Sequence, residues 1–335
     1  MAKLNKTYNI LIRLGILILT FYYLYDQLIF EHNLSDLSVY FQLLTEKKSF
    51  PFIITLIVVL LPVNLLLESF KWQLLINKLE KISLGNALKA VLAGISVSMF
   101  MPNRVGDYLG RIFILKKANR IQATLSTILG SIAQFLTTLI FGIVASVLFF
   151  PYYMPLTNSL NFWIYVGVIL TAAFTLLIIV FFYLNFSAFS NILKRFSGKA
   201  HNRISRYTEV FSWYNAAELF HILLLSIIRY LVFSFQFYLF LRLFGITLDY
   251  FHSMMLIGII YLLVSGIPTI ALSELGVRGS VSLYVFQLYF GTQIMAANYS
   301  GEIVSASSAL WFINLALPAL VGIIFIFNLK FFRNQ

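Results

Sequence analysis

The sequence predicts an all-α polytopic membrane protein, and three observations carry that expectation. Apolar residues fill 60% of the 335 positions and charged ones only 11%, for a mean hydropathy of +0.89, well outside the range of water-soluble domains. The apolar residues come in continuous runs of about twenty or more, the length a helix needs to cross a bilayer, and not in the alternation of a membrane β-barrel. The net charge of +12 comes from Lys and Arg gathered in the segments between runs. That pattern orients membrane helices with their basic loops in the cytoplasm, and it is not the basic face of a nucleic-acid-binding protein. Cysteine is absent, and His32, His201, His221 and His252 are scattered without metal-ligand spacing. Neither a disulfide, a thiolate nucleophile, a metal nor another cofactor is therefore expected.

Taken in order, residues 8–30 form a first span with the N-terminus inside, behind Lys3 and Lys6 and too long for a cleaved signal sequence. The loop after it carries Leu34, Leu37, Phe41 and Leu44 at helical spacing and reads as a short interfacial helix on the outer side. Residues 50–76 return inward, with Asn64, Glu68, Lys71 and Trp72 crowded near the inner end. Glu68 and Lys71 are one turn apart and suited to neutralise each other. The plainest reading of Lys71 and Trp72 is a snorkelling cation beside an interfacial indole, with Glu68 a turn deeper.

Residues 84–101 and 108–115 are each too short or too polar to span, and basic residues flank the pair on both sides. A re-entrant hairpin entering from the cytoplasm fits, broken at Pro102, Asn103, Arg104, Val105 and Gly106, because proline lacks an N–H and glycine loosens the backbone. Residues 121–150 then run outward with Gly130, Ser131, Thr137, Thr138, Gly142 and Ser146, small residues that favour close helix packing. After a short uncharged loop, residues 162–184 cross inward. The polar segment 185–215 carries Lys194, Arg195, Lys199, Arg203 and Arg206 and is expected to lie against anionic headgroups on the cytoplasmic side.

Residues 218–243 cross outward with Arg229 near the middle, too deep to snorkel, so it should face the bundle interior and an acidic or carbonyl partner. Residues 251–267 and 277–290 flank a second break, from Pro268 through Glu274, Gly276 and Arg278, in a hairpin entering from outside. Residues 303–327 cross back, and Lys330 and Arg333 mark a cytoplasmic C-terminus. About six full spans and two re-entrant hairpins result, in one membrane domain whose halves, 1–150 and 151–335, form an inverted-topology repeat.

Each hairpin carries an acid four residues ahead of an arginine: Asp107 before Arg111, and Glu274 before Arg278. Both can close as ion pairs on one helix face. A half-helix beginning inside the membrane presents unpaired N–H groups and a positive dipole end that favour an anion. Arg104, Arg111, Arg229 and Arg278 would offer forked donors to a phosphate, Asp107, Glu274 and Glu68 would balance them when the site is empty, and Gly106 and Gly276 would let a headgroup approach. For the ion pairs, simple anchoring of the hairpins explains the residues equally well; Arg104, with no acid one turn before it, points to a ligand.

The segment Pro102-Asn103-Arg104-Val105-Gly106-Asp107, the pair Lys71-Trp72 and the run Leu275-Gly276-Val277-Arg278 together resemble the lysylphosphatidylglycerol synthase transmembrane region, a flippase-like family. The chain departs from the family's pattern at Asn103 for glycine, Lys71 for arginine and Gly279 for glutamate, which leaves Glu274 as the substitute acid. In synthases this region is followed by a cytosolic aminoacyl-transferase domain, and none is found up to Gln335. The resemblance implies translocation of an anionic or aminoacylated phospholipid, or of a polyprenyl-phosphate lipid, in the bacterial plasma membrane, with Glu68, Lys71, Arg104, Asp107, Arg111, Arg229, Glu274 and Arg278 handling the headgroup. A homo-oligomer is compatible with it. A membrane-embedded headgroup-modifying enzyme and an accessory protein of lipid synthesis are the alternatives; no nucleophile–base pair or nucleotide loop stands out in the sequence.

Overall fold

Polar residues between the apolar runs cap the starts of five of the described helices. A computed structural model describes residues 50–99, 101, 105–186, 209–269, 271–291 and 299–326. These residues form α1 (Phe50–Ile76), α2 (Leu84–Ser98), α3 (Val105–Ile112), α4 (Arg120–Tyr153), α5 (Ser159–Leu184), a 3-10 turn (Glu209–Trp213), α6 (Ala216–Leu243), α7 (Tyr250–Ser265), α8 (Ala271–Phe290), and α9 (Ser300–Trp311), which continues through a π-helical turn (Phe312–Ala316) into α10 (Leu317–Ile326). Ser83, Asn119, Asn158 and Asp249 each accept a backbone N–H at the start of α2, α4, α5 and α7. Asn215 and Glu218 close a reciprocal capping box at the start of α6.

Among the described residues, five stretches are long and apolar enough to cross a membrane: α1, α4, α5, α6 and the continuous 300–326 helix. They match five of the expected spans, with α4 running on to Tyr153 through Pro151. The expected first span and the loop after it, most of the 185–215 segment, and Lys330 and Arg333 lie outside the described residues. The end of that polar segment departs from the surface-lying picture. Val210, Phe211 and Tyr214 are buried against Leu75, Leu129 and Leu219, so this stretch is part of the packed core.

Both short-helix units are hairpins. At one end of the bundle the Glu80 carboxylate, ahead of α2, accepts the backbone N–H groups of Lys116, Lys117 and Ala118 at 2.6–3.1 Å, tying the start of the α2–α3 unit to its finish. At the other end, Tyr289 of α8 lies beside His252 at the start of α7 and beside Tyr152 of α4. The α2–α3 break falls between Ser98 and Val105, with Pro102, Asn103 and Arg104 outside the described residues. The second hairpin differs from the expected bounds. Its return helix begins at Ala271, six positions ahead of the expected 277, so the turn holding Gly266 and Pro268 is short and both Glu274 and Arg278 lie on α8.

Two long helices each lie against a shorter one: α4 against α7, and the α10 part of the continuous 300–326 helix against α2. Glycines set both approaches. A Cβ on Gly142 would fall 2.5 Å from Leu262 Cβ, and one on Gly322 would fall 2.1 Å from the Leu92 carbonyl. Within α1, Pro62 removes one ladder N–H, and the Gln236 side chain of α6 donates to the nearby Ile57 carbonyl at 3.1 Å. The main apolar core, around Ile57, Phe237, Leu256, Ile260, Phe286 and Leu310, joins α1, α6, α7, α8 and α9. By contrast α5 buries only Tyr183 and stands at the edge.

Candidate functional site

Glu68, two turns from the end of α1, is the hub of a buried ion network. Its carboxylate meets Lys71 Nζ at 2.8 Å, Arg111 Nη1 at 2.7 Å and Arg229 Nη1 at 3.2 Å. Arg111 also forks onto Asp107, Nε to Oδ1 at 2.8 Å and Nη2 to Oδ2 at 2.6 Å. The i,i+4 and i,i+3 pairs expected from spacing are thus formed, and Glu68 welds the first hairpin to α1 and α6. Lys71 and Trp72 depart from the interfacial reading. They are 2% and 1% exposed, Lys71 turned onto Glu68 and the Trp72 indole donating to Thr127 Oγ1 at 3.0 Å. The reason is packing: α2, α3 and α4 cover that face of α1, and the ammonium buried there is compensated by the Glu68 carboxylate.

Arg229 faces the bundle interior as expected and reaches beyond this network. Its Nε donates to Asn64 Oδ1 at 2.7 Å and its Nη1 to Gln134 Oε1 at 3.1 Å. Asn64 in turn donates to Asn314 Oδ1 at 2.9 Å. Asn314 sits in the π-helical turn, where one extra residue per turn re-aims the side chain.

The second hairpin supplies a simpler pair. Arg278 Nη2 donates to Glu274 Oε1 at 2.7 Å, and the two residues are 7% and 5% exposed. The guanidinium carbon lies 5.9 Å from the ring centres of both Phe233 and Tyr261. Its other two donors, Nε and Nη1, are buried without a hydrogen-bond partner. Leaving such donors unmet is costly unless something else meets them.

Between the two groups lies a cavity of about 450 Å³. Arg229 and Arg278 both line it, with Glu274, the amides of Asn64, Gln134 and Asn314, the rings of Phe233 and Tyr261, and the turn from Gly266 through Pro268 to Thr269. Of the other residues expected to handle a headgroup, Glu68, Lys71, Asp107 and Arg111 form the network behind its wall, and Arg229 joins the two. Arg104, Pro102 and Asn103 lie outside the described residues.

The two glycines separate. A Cβ on Gly106 would fall 2.4 Å from the Val97 carbonyl, so this glycine serves limb-on-limb packing inside the hairpin and not access for a headgroup. A Cβ on Gly276 would meet nothing within 4 Å among the described residues. Gln134, Asn314, Phe233 and Tyr261 were missed by sequence reasoning. The two amides interrupt long apolar runs and were findable on that ground; the aromatic pair carries no local signal among so many rings.

A family model described as the lysylphosphatidylglycerol synthase TM region matches residues 10–322. The chain belongs to that family. No curated protein and no solved structure matches it. In this lysylphosphatidylglycerol synthase TM-region protein, the match takes in both hairpins and every wall of the cavity, and with the five apolar spans it makes the chain an integral membrane protein.

Proposed function

We propose that this protein moves a phosphate-bearing lipid between the leaflets of a membrane, with the headgroup passing through the cavity and the acyl chains remaining in the bilayer. The observation that carries this reading is Arg278: a buried guanidinium on the wall of the cavity, with two donors left open for an acceptor. Arg229, at mid-helix on the same wall, offers a second cation. Broken backbone persists inside a membrane where it lines a cavity, and here the Gly266–Thr269 turn does so while the π-helical turn aims Asn314 at it. The reciprocal packing of α4 on α7 and α10 on α2 supports two repeats of opposite orientation, both termini cytoplasmic, both hairpins re-entrant and the site at the repeat interface. The bacterial plasma membrane is the proposed location. On this reading the protein performs no headgroup chemistry of its own, and a membrane phospholipid or other lipid-linked phosphate is its partner, with no nucleic acid involved.

The test is reconstitution into liposomes holding tail-labelled anionic lipid, with a membrane-impermeant quencher reporting the outer leaflet. The wild type should equilibrate the label between leaflets. Arg278→Gln should slow it about ten- to hundred-fold, the loss expected for a charge-assisted contact of roughly 1.5–3 kcal/mol. Wild-type liposomes no faster than empty ones would overturn the proposal. So would a new, dose-dependent lipid product, which would move the protein to the enzyme class.

A further inference from the structure

Away from the cavity, the base of the first hairpin is a surface of exposed cations. Lys81 precedes α2, Lys89 stands on its second turn, and Lys116 and Lys117 belong to the loop between α3 and α4. All four are exposed, and none of their ammonium groups pairs with a carboxylate among the described residues. Lys78, just ahead of them, differs: it is bound to Glu218 at 2.7 Å. Arg120 adds a guanidinium held 4.7 Å from the centre of the Phe113 ring.

The acid nearest in sequence is Glu80, and its carboxylate is turned onto the backbone N–H groups of Lys116, Lys117 and Ala118. The clamp that closes the base of the hairpin therefore also draws Lys81 toward Lys116 and Lys117. Like charges brought together repel. Neither α2 nor α4 has an acid in its first turn to offset them. An anion lying across the lysines would turn that repulsion into a bridge between the start and the finish of the hairpin.

The neighbouring side chains say which anion fits. Leu84 and Ile121, in the first turns of α2 and α4, are 39% and 48% exposed. A Cβ on Gly85 would meet nothing within 4 Å among the described residues, so the first turn of α2 is uncovered there. Exposed cations beside exposed apolar side chains suit a molecule with an anionic head and hydrocarbon chains. A soluble acidic partner would answer the lysines and not Leu84 or Ile121.

We infer that the base of the first hairpin is a docking surface for anionic phospholipid of the adjoining leaflet, whose headgroup holds the two ends of the hairpin together. This lipid is a bound neighbour of the hairpin and not cargo in the cavity. The proposed topology serves only to name its leaflet, the cytoplasmic one.

The chain has no cysteine, so Ala118→Cys, buried beside the clamp, reports opening of the base through its rate of labelling by a membrane-permeant maleimide. The full chain is reconstituted into vesicles of phosphatidylcholine alone, or of an equal mixture of phosphatidylcholine and phosphatidylserine. Labelling should slow in the anionic vesicles. The slowing should be at least about tenfold greater with the native lysines than with Lys81→Gln, Lys116→Gln and Lys117→Gln combined. Each lysine at an anionic surface is favoured about fivefold, and three act together. The general effect of a charged surface on a thiol cancels in that comparison. The same three positions changed to arginine should keep the slowing, which separates lost charge from lost fold. About 0.5 M salt should diminish it, and Arg278→Gln should leave it intact. Equal slowing with lysine and with glutamine would overturn the inference. So would a slowing lost in Arg278→Gln, which would assign the lipid to the cavity. Equal slowing in phosphatidylcholine vesicles given soluble polyglutamate would overturn it too, in favour of an acidic protein segment. Vesicles that show the lysine-dependent slowing but no exchange of lipid between leaflets would uphold the docking surface and count against translocation.

Discussion

The two hairpins carry the same local device, an acid four residues ahead of an arginine, and use it for different ends. In α2–α3 the limbs touch backbone to backbone. A Cβ on Gly110 would fall 2.5 Å from Gly94 Cα, and one on Gly94 would fall 2.4 Å from Asp107 Oδ1. Arg111, at the end of α3, has all three nitrogens engaged: both Asp107 oxygens and Glu68 are bound to it. In α7–α8 the return helix is longer and Gly276 stands clear of any neighbour among the described residues. Arg278 has one carboxylate partner, two open donors and a cavity beside it. A shared sequence motif thus says where a hairpin is and not what it does. The number of partners that tertiary packing brings to the guanidinium separates an anchor from a binding group.

Glu68 tests the anchor side hardest. Glu68→Gln removes the carboxylate that Lys71, Arg111 and Arg229 share, and breaking a buried ion pair on one side costs about 3–5 kcal/mol. A large fall in melting temperature and in the yield of folded protein is expected, measured by fluorescence-detected unfolding in detergent. Wild-type melting would mean that the first hairpin is not held by this network.

A smaller effect separates the glycines. Gly110→Ala forces a methyl group against backbone and should destabilise by about 1–3 kcal/mol, whereas Gly276→Ala, with open space around it, should stay within about 0.5 kcal/mol. Equal sensitivity at the two positions would erase the contrast between a packed and an open hairpin.

The smallest effect concerns how the second hairpin starts. The Asp249 carboxylate pairs with His252 Nδ1, and His252 Nε2 meets Tyr152 Oη at 2.7 Å, linking α7 to α4. Slight desolvation pushes the Asp249 carboxyl up, but the hydrogen bonds from His252 outweigh it and hold the carboxyl below its ordinary range. A carboxyl depressed in the fold adds stability above its unfolded value and loses it as pH falls through the folded one. Asp249→Asn keeps a good helix cap, so any difference from wild type reports the pairing with His252. The wild-type advantage in melting temperature should shrink as pH drops below about 4; an advantage independent of pH would remove the ionic link.

The fold was largely legible because its determinants are local. Five of the expected spans stand where runs of apolar residues placed them, since run length is all a bilayer requires. Both acid–arginine pairs closed because i,i+4 geometry is a property of one helix. Tertiary structure decided the rest. It buried Lys71 and Trp72 under α2, α3 and α4, where a single helix in lipid would have placed them at an interface. It made Glu68, and not either hairpin, the centre of the ion network, by bringing Arg111 from 43 positions downstream and Arg229 from another helix onto one carboxylate. It turned Asn314 toward Asn64 through a π-helical turn that its sequence does not announce. And it left Arg278 with open donors beside a cavity, an arrangement that depends on five other segments of chain. Run length and i,i+4 spacing belong to single helices and can be read from a string of residues; how many partners a buried charge finds depends on which helices meet, and only the folded bundle sets that.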